Sequence, residues 1–244
     1  MDSSLLPIVA IFILAGFVKG VVGLGLPTVS IALLSVVMMP AQAAALLIVP
    51  SFVTNVWQAF GRRALLLLRR LGVMLATMVA GTLLGGWWLP IDNSGRASMA
   101  LGVMLILYAL VGLLLPRFHV SRRQEIWLSA PVGLVTGLVT AMTGVLVIPV
   151  VPYLQALDLE RDDLVQALGI TFTVSTVALA AVLIGQHQLS AGVAGPSLAA
   201  LVAAVAGMAA GQELRKRIDP AQFRIWFFIA LLALGAHLLL HGLL

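Results

Sequence analysis

Residues Gly16 to Pro27 read G-F-V-K-G-V-V-G-L-G-L-P, inside an otherwise apolar run from Leu5 to Met38. Four glycines, one lysine and one proline interrupt what would otherwise be a plain membrane span. A uniform spanning helix has little use for such punctuation, because glycine loosens the backbone and proline removes a donor. A backbone that breaks around a ligand needs both. The stretch therefore predicts a broken helix, and the rest of the chain is read outward from it.

The chain has 244 residues, of which 61% are hydrophobic and 9% charged, with a mean hydropathy of +1.13. Soluble domains carry about a quarter charged residues. Several nearly uncharged stretches here approach or exceed the roughly 20 residues that span a hydrocarbon core. The composition predicts an all-α polytopic membrane protein whose environment is the lipid bilayer. The short alternating segments of a β-barrel are missing. Cysteine is absent, which excludes a disulfide framework and cysteine-based metal sites. The net charge of +5 sits mostly in short connections, where arginines orient a membrane protein, so nucleic acid is not expected as a partner. No basic region and small-residue cleavage site flank the first apolar run, so Leu5 onward is expected to be mature membrane structure.

In order, the expected segments are a broken region at Leu5–Met38, a helix at Ala41–Phe60 and an interfacial basic connection at Gly61–Arg70. Helices at Leu71–Leu89 and Ala97–Leu115 follow, separated by an Asp92-Asn93-Ser94-Gly95 turn. A basic linker covers Pro116–Glu125. The second half has a broken region at Ile126–Leu157, an acidic solvated connection at Asp158–Asp163 and a helix at Leu164–Ile184. It closes with a polar turn at Gly185–Ser190 and helices at Ala191–Gln212 and Phe223–Leu240. The halves resemble each other: Gly16-x-x-x-Gly20 matches Gly133-x-x-x-Gly137, Gln42 matches Gln166, and Ser51 then falls opposite Ser175. The domain reading is a first repeat at 1–116, a linker at 117–125 and a second repeat at 126–244, together one membrane domain.

Charge selects the topology. If all eight apolar regions cross once, the basic loop at 213–217 falls opposite those at 61–70 and 116–125, against the positive-inside bias. If each broken region enters and returns, all three basic loops share the cytoplasmic side. The halves are then inverted, each beginning with a broken or re-entrant helical hairpin. Paired short crossing helices give the same parity. Hairpin arms of about 15 residues reach some 22 Å, less than the core, so two turns entering from opposite faces are expected to meet near the midplane. Helix ends there would offer N–H groups to an anion.

The G-x-x-x-G-x-x-G-x-G-x-P stretch, the P-A-Q-A-A-A-L helix start at Pro40 and the weaker repeat after a basic linker resemble the TauE/SafE family of sulfite and organosulfonate exporters and related anion permeases. The resemblance covers nearly the whole chain and implies duplicated four-helix halves and a sulfur-containing or organic anion as substrate. Its first signature falls on Gly16, Gly20, Gly23, Gly25 and Pro27, followed by Ala41, Gln42, Ala45, Ser51, Thr54 and Asn55. Its second falls on Gly133, Gly137, Gly144 and Pro149, then Gln166, Thr171 and Ser175. Thr140, Ala141, Met142 and Thr143 stand where more glycines would complete that second pattern.

The residues themselves supply the candidate chemistry. Lys19 is the only lysine or arginine before Arg62, and a lysine deep in an apolar segment attracts an anion or else snorkels to an interface. Gly20, Gly23, Gly25 and Gly144 open the backbone near substrate, or form packing seams. Ser51, Thr54 and Asn55, with Thr171 and Ser175 in the second half, offer directional hydrogen bonds to an oxyanion or between helices. Thr140 and Thr143 bracket the second break and donate either to an anion or to the backbone. Gln42 and Gln166 belong to the first turns of their helices. His237 and His241 have a metal-pair spacing but no convincing third ligand, so a packing role is expected. The chain carries no Walker loop and no coherent catalytic constellation, and no enzyme activity or cofactor is expected.

These features predict a secondary transporter of a small anion (sulfite, an organosulfonate or a small organic acid), exporting by alternating access across a bacterial inner membrane. Proton coupling, sodium coupling and passive exchange all fit, with no membrane-centred carboxylate evident to carry a proton. The reading leaves room for a homo-oligomer. An anion channel or uniporter of the same fold is the first alternative. A non-transport assembly protein or membrane-embedded enzyme is the second.

Overall fold

A chain this apolar must satisfy its backbone internally, and it does so with helices alone among the described residues. The computed structural model describes residues 5–88, 95–114, 119–189 and 191–243. The first half contains α1 (Leu5–Val22), α2 (Leu26–Val37), α3 (Pro40–Ala59), α4 (Ala64–Arg70), α5 (Gly72–Trp88) and α6 (Gly95–Leu114). The second contains α7 (Arg122–Thr143), α8 (Val150–Gln155), α9 (Arg161–Gly185), α10 (Ala194–Leu214) and α11 (Pro220–Leu243). Seven helices are long and apolar enough to cross a membrane, and α4 with α5 makes an eighth candidate bent by 67°. The expected Asp92-Asn93-Ser94 turn, and Pro116, Arg117 and Ser190, lie outside the described residues.

The two expected breaks are present. The first falls between α1 and α2, where Gly23 and Gly25 have φ of 86° and 109°, a left-handed conformation that side chains resist. The second follows α7 at Gly144, with φ of 70°, and an irregular stretch then leads into α8. Their depth differs from expectation. The arms are unequal, 18 and 12 residues in α1 and α2 and 22 and 6 in α7 and α8, because the positive-φ glycines come late in each region. Gln58, near the end of α3, reaches the Gly23 carbonyl, whereas a side chain at Gly144 would meet Ala44 near the start of the same helix. Those two levels are about 20 Å of helix apart, so the turns do not meet at mid-depth.

Helix pairing crosses between the halves. α1 packs along α10, α5 along α7, α6 along α11 and α3 along α9. Glycine permits the first two. A Cβ at Gly16 or Gly20 would enter the main chain of Ala204 or Met208 on α10, and one at Gly207 or Gly211 that of Ile13 or Phe17 on α1. In the same way Gly133 and Gly137 lie on the main chain of Met74 and Met78 in α5. Without a hydrophobic drive between helices inside lipid, such close approach supplies the dispersion contact that holds them together.

α3 and α9 are the most enclosed spans and run antiparallel. Gly169 abuts Gln58 and Ala59, and three residues earlier Gln166 donates from Nε2 to the Ala59 carbonyl at 2.9 Å and lies against Gly61. The basic connection forms α4 and gathers other loops at the same end of the bundle. Arg63 pairs with Asp163 at 2.6 Å, and this contact raises the Arg63 guanidinium above its ordinary pKa. Arg70 grips both oxygens of the buried Glu125 at 2.7 and 2.8 Å and donates to the Leu157 carbonyl at 3.3 Å.

The basic linker was expected to run to Glu125, but α7 starts at Arg122. Ser121 and Gln124 form a reciprocal capping box, a signal legible as S-x-x-Q. The acidic connection is likewise shorter than expected, because Asp162 and Asp163 occupy the first turn of α9, where the helix dipole favours negative charge. Trp57, Trp127 and Trp226 project outward near the basic end and Trp87 and Trp88 at the far end of α5, a distribution suited to the two interfaces of a bilayer.

Replacing Gly137 with leucine is expected to separate α7 from α5, at a cost of about 1–3 kcal/mol or more from overpacking. Gly195→Ala, where an added Cβ meets nothing within 4 Å, serves as the control and leaves stability near wild type. Thermal unfolding of the detergent-purified variants by circular dichroism tests the contrast.

Candidate functional site

Lys19 lies on the last turn of α1, one turn before Gly23, and is 4% exposed. Its ammonium reaches across to α3, donating to Thr54 Oγ1 at 3.1 Å and to Asn55 Oδ1. The Thr54 hydroxyl in turn donates to the Pro50 carbonyl at 2.7 Å. Both partners of the ammonium are neutral. Glu125, the other charged residue that is buried, is taken by Arg70, so no carboxylate offsets Lys19 among the described residues. A lysine ammonium has three hydrogens, and one is left without an acceptor.

Asn55 faces Lys19 with its oxygen, as it must, because lysine can only donate. Its amide nitrogen is therefore turned elsewhere, and it is buried without a hydrogen-bond partner. Ser51 Oγ on the same helix face is buried and unpartnered as well, as are Thr171 Oγ1 and Ser175 Oγ on α9. Carried along two antiparallel helices of equal rise, the contacts at Gln166 and Gly169 bring residues 51–55 level with 171–176. All four side chains are exposed by 1% or less. An orphaned buried donor costs about 1–3 kcal/mol. Four such groups lie on α3 and α9, two of them on the helix that receives the Lys19 ammonium.

The other expected site residues go elsewhere. Gly20 faces the α10 seam, so its role is packing. Gly23 and Gly25 form the break itself, and the Gly23 carbonyl accepts from Gln58 Nε2 at 3.0 Å. Gly144 sits against Ile31 of α2, joining the tip of the second hairpin to an arm of the first. Thr140 and Thr143 bind backbone. Thr140 donates to the Thr136 carbonyl at 2.8 Å, and Thr143 donates to the Val139 carbonyl at 2.7 Å while accepting from the Val145 N–H at 3.1 Å. They hold the second break open in place of the missing glycines and leave no free donor.

Three features escaped sequence reasoning. Gln58 fastens the first turn to α3, and its spacing of three from Asn55 placed it on a nearby face. Thr28 and Ser30 of α2 carry further buried, unpartnered hydroxyls beside the first break. Gln166 closes the C-terminal end of α3, while Gln42 is exposed. His237 and His241 contact each other edge to face at 5.2 Å, and no group of three metal ligands occurs among the described residues.

A family model described as Sulfite exporter TauE/SafE matches residues 8–238. No curated protein and no solved structure matches the chain.

Sulfite added to the purified protein is expected to raise its melting temperature, by about 2.7 kcal/mol of stabilisation at a hundred times the dissociation constant. Lys19→Gln, which keeps a donor for Asn55 but removes the charge, is expected to lower that rise clearly. An equal rise in the variant would place the anion elsewhere. Thermal melts over a sulfite titration at constant ionic strength read the difference.

Proposed function

The chain belongs to the TauE/SafE sulfite exporter family, and from that premise we propose that it is a secondary transporter moving a small oxyanion outward across the inner membrane by alternating access. The observation that carries the proposal is Lys19, a buried cation with no carboxylate partner, next to the orphaned donors of α3 and α9. Sulfite, an organosulfonate or a small carboxylate would supply the missing charge and acceptors together.

Two inverted repeats are the proposed scaffold. Exchanging the halves maps α1 with α10 onto α7 with α5, and leaves the α3–α9 and α6–α11 pairs unchanged, which is the pattern expected of a twofold relation. The antiparallel α3 and α9 support inversion. The basic end, where Arg63, Arg70, Glu125 and Asp163 meet, is assigned to the cytoplasm by the excess of positive charge. Both hairpins would then be re-entrant. The first reaches from the outer face towards the cytoplasm and the second in the opposite sense.

In this mechanism Lys19 attracts the anion, and the hydroxyls and amide of Ser51, Asn55, Thr171 and Ser175 bind its oxygens. Because the site lies between a helix of one repeat and a helix of the other, rocking of the repeats exposes it to alternate faces. Thr54 accepts from Lys19 and keeps the ammonium pointed at α3.

Flux into proteoliposomes tests this with sulfite, methanesulfonate and acetate under imposed proton and sodium gradients. Saturable counterflow of at least one anion is expected, falling about a hundredfold in Lys19→Gln while folding is retained. Unitary currents too fast for a transport cycle would make the protein a channel. No movement of any anion would contradict transport altogether.

A further inference from the structure

A cavity of about 450 Å³ opens at the basic end, beside the tip of the α1–α2 hairpin. Its walls include Gly23, the first turns of α9 and the connection between α10 and α11. Arg161, Arg215 and Arg224 line it, each from a different segment, with Asp219 as the carboxylate on the same wall. Three other cations of this end are paired: Arg63 with Asp163, Arg70 with Glu125 and Lys216 with Glu213. The three cavity arginines form no ion pair among the described residues, although acidic side chains are close by in sequence. Three guanidiniums thus share one space with a single carboxylate, an excess of positive charge that favours entry of an anion.

Two further observations point inward. Tyr108 of α6 is 2% exposed and also lines this cavity, and a phenol hydroxyl can donate to an oxyanion. Gly23 presents its bare α-carbon to open space, since a Cβ there would meet no atom within 4 Å. The Gly23 N–H bonds the Lys19 carbonyl at 2.8 Å, so the cavity ends one helical turn from the buried ammonium.

We propose that this cavity is a second anion site, a docking vestibule in which Arg161, Arg215, Arg224 and Tyr108 take the oxyanion head of the substrate before it passes Gly23 to reach Lys19. This rests on the transport reading of the Lys19 site. Arginine suits the task because its planar fork matches the oxygens of sulfonate, sulfite and carboxylate, and because it is always charged. With three guanidiniums against one carboxylate the vestibule favours a doubly charged anion such as sulfite over a monoanion of similar size. It also makes the two faces unequal. Substrate arriving from the basic side meets a preloaded positive field, whereas substrate on the other side does not.

The test uses the full chain in proteoliposomes of fixed orientation, with radiolabelled sulfite offered from one face at a time. For Arg215→Gln/Arg224→Gln the expected result is a KM raised about tenfold from the basic face with kcat within about twofold, and a flattened dependence of kcat/KM on salt. From the opposite face KM is expected to be unchanged, and Arg215→Lys/Arg224→Lys to recover most of the loss. Unchanged kinetics from the basic face, or an equal KM rise from both faces, would overturn the vestibule while leaving transport intact. Equilibrium binding of sulfite to the detergent-purified protein separates the two claims. If wild type moves no anion yet shows sulfite binding that the double glutamine variant loses, the transport reading falls and the arginine site stands.

Discussion

An ammonium placed inside a membrane protein without a carboxylate partner is the constraint on which the other features depend. Desolvating such a group costs several kcal/mol, and neutral acceptors return only part of that. Lys19 is kept in this position by the glycine seam that presses α1 onto α10, and by Thr54 and Asn55, which hold the ammonium against α3. Four buried donors left without acceptors on α3 and α9 compound the cost. In the proposed function, a ligand bound between the two most enclosed helices would remove both deficits together.

Under the proposed repeat, the helix pairing is more symmetric than the chemistry. Aligning the glycine seams places Thr136 opposite Lys19, and the Thr136 hydroxyl is used up on the Val132 carbonyl at 2.7 Å. Aligning Gln42 with Gln166 places Ala178 and Leu179 opposite Thr54 and Asn55, so only the serines at 51 and 175 are shared. One cation therefore serves the pair of halves. If the halves are related as proposed, this asymmetry favours a single anion held towards α1.

Much of this was legible in the chain itself. Helix positions followed from apolar length, and the breaks from glycine beside proline. Ser51, Asn55, Thr171 and Ser175 stood out because a polar side chain in an apolar helix needs a reason. What was not legible depends on long-range packing. Gly20 looked like part of the opening because its partner, the main chain of Met208, lies in the other half of the sequence. For Thr140 and Thr143 the sequence left anion and backbone bonding both open, and only coordinates show that the backbone takes them. The depth of the turns was misjudged because equal arms were assumed, whereas the positive-φ glycines set them unequal. The three arginines of the cavity come from three separate segments, and nothing in their spacing brings them together.

The most direct test of the central claim is to locate the anion. Crystals grown or soaked with selenite, a heavier analogue of sulfite, give an anomalous selenium signal that marks its position without bias. The account predicts a peak within hydrogen-bonding distance of Lys19 Nζ and of Ser51, Asn55, Thr171 and Ser175. Selenium found only at other positions, with Lys19 still bonded to Thr54 and Asn55 alone, would contradict it.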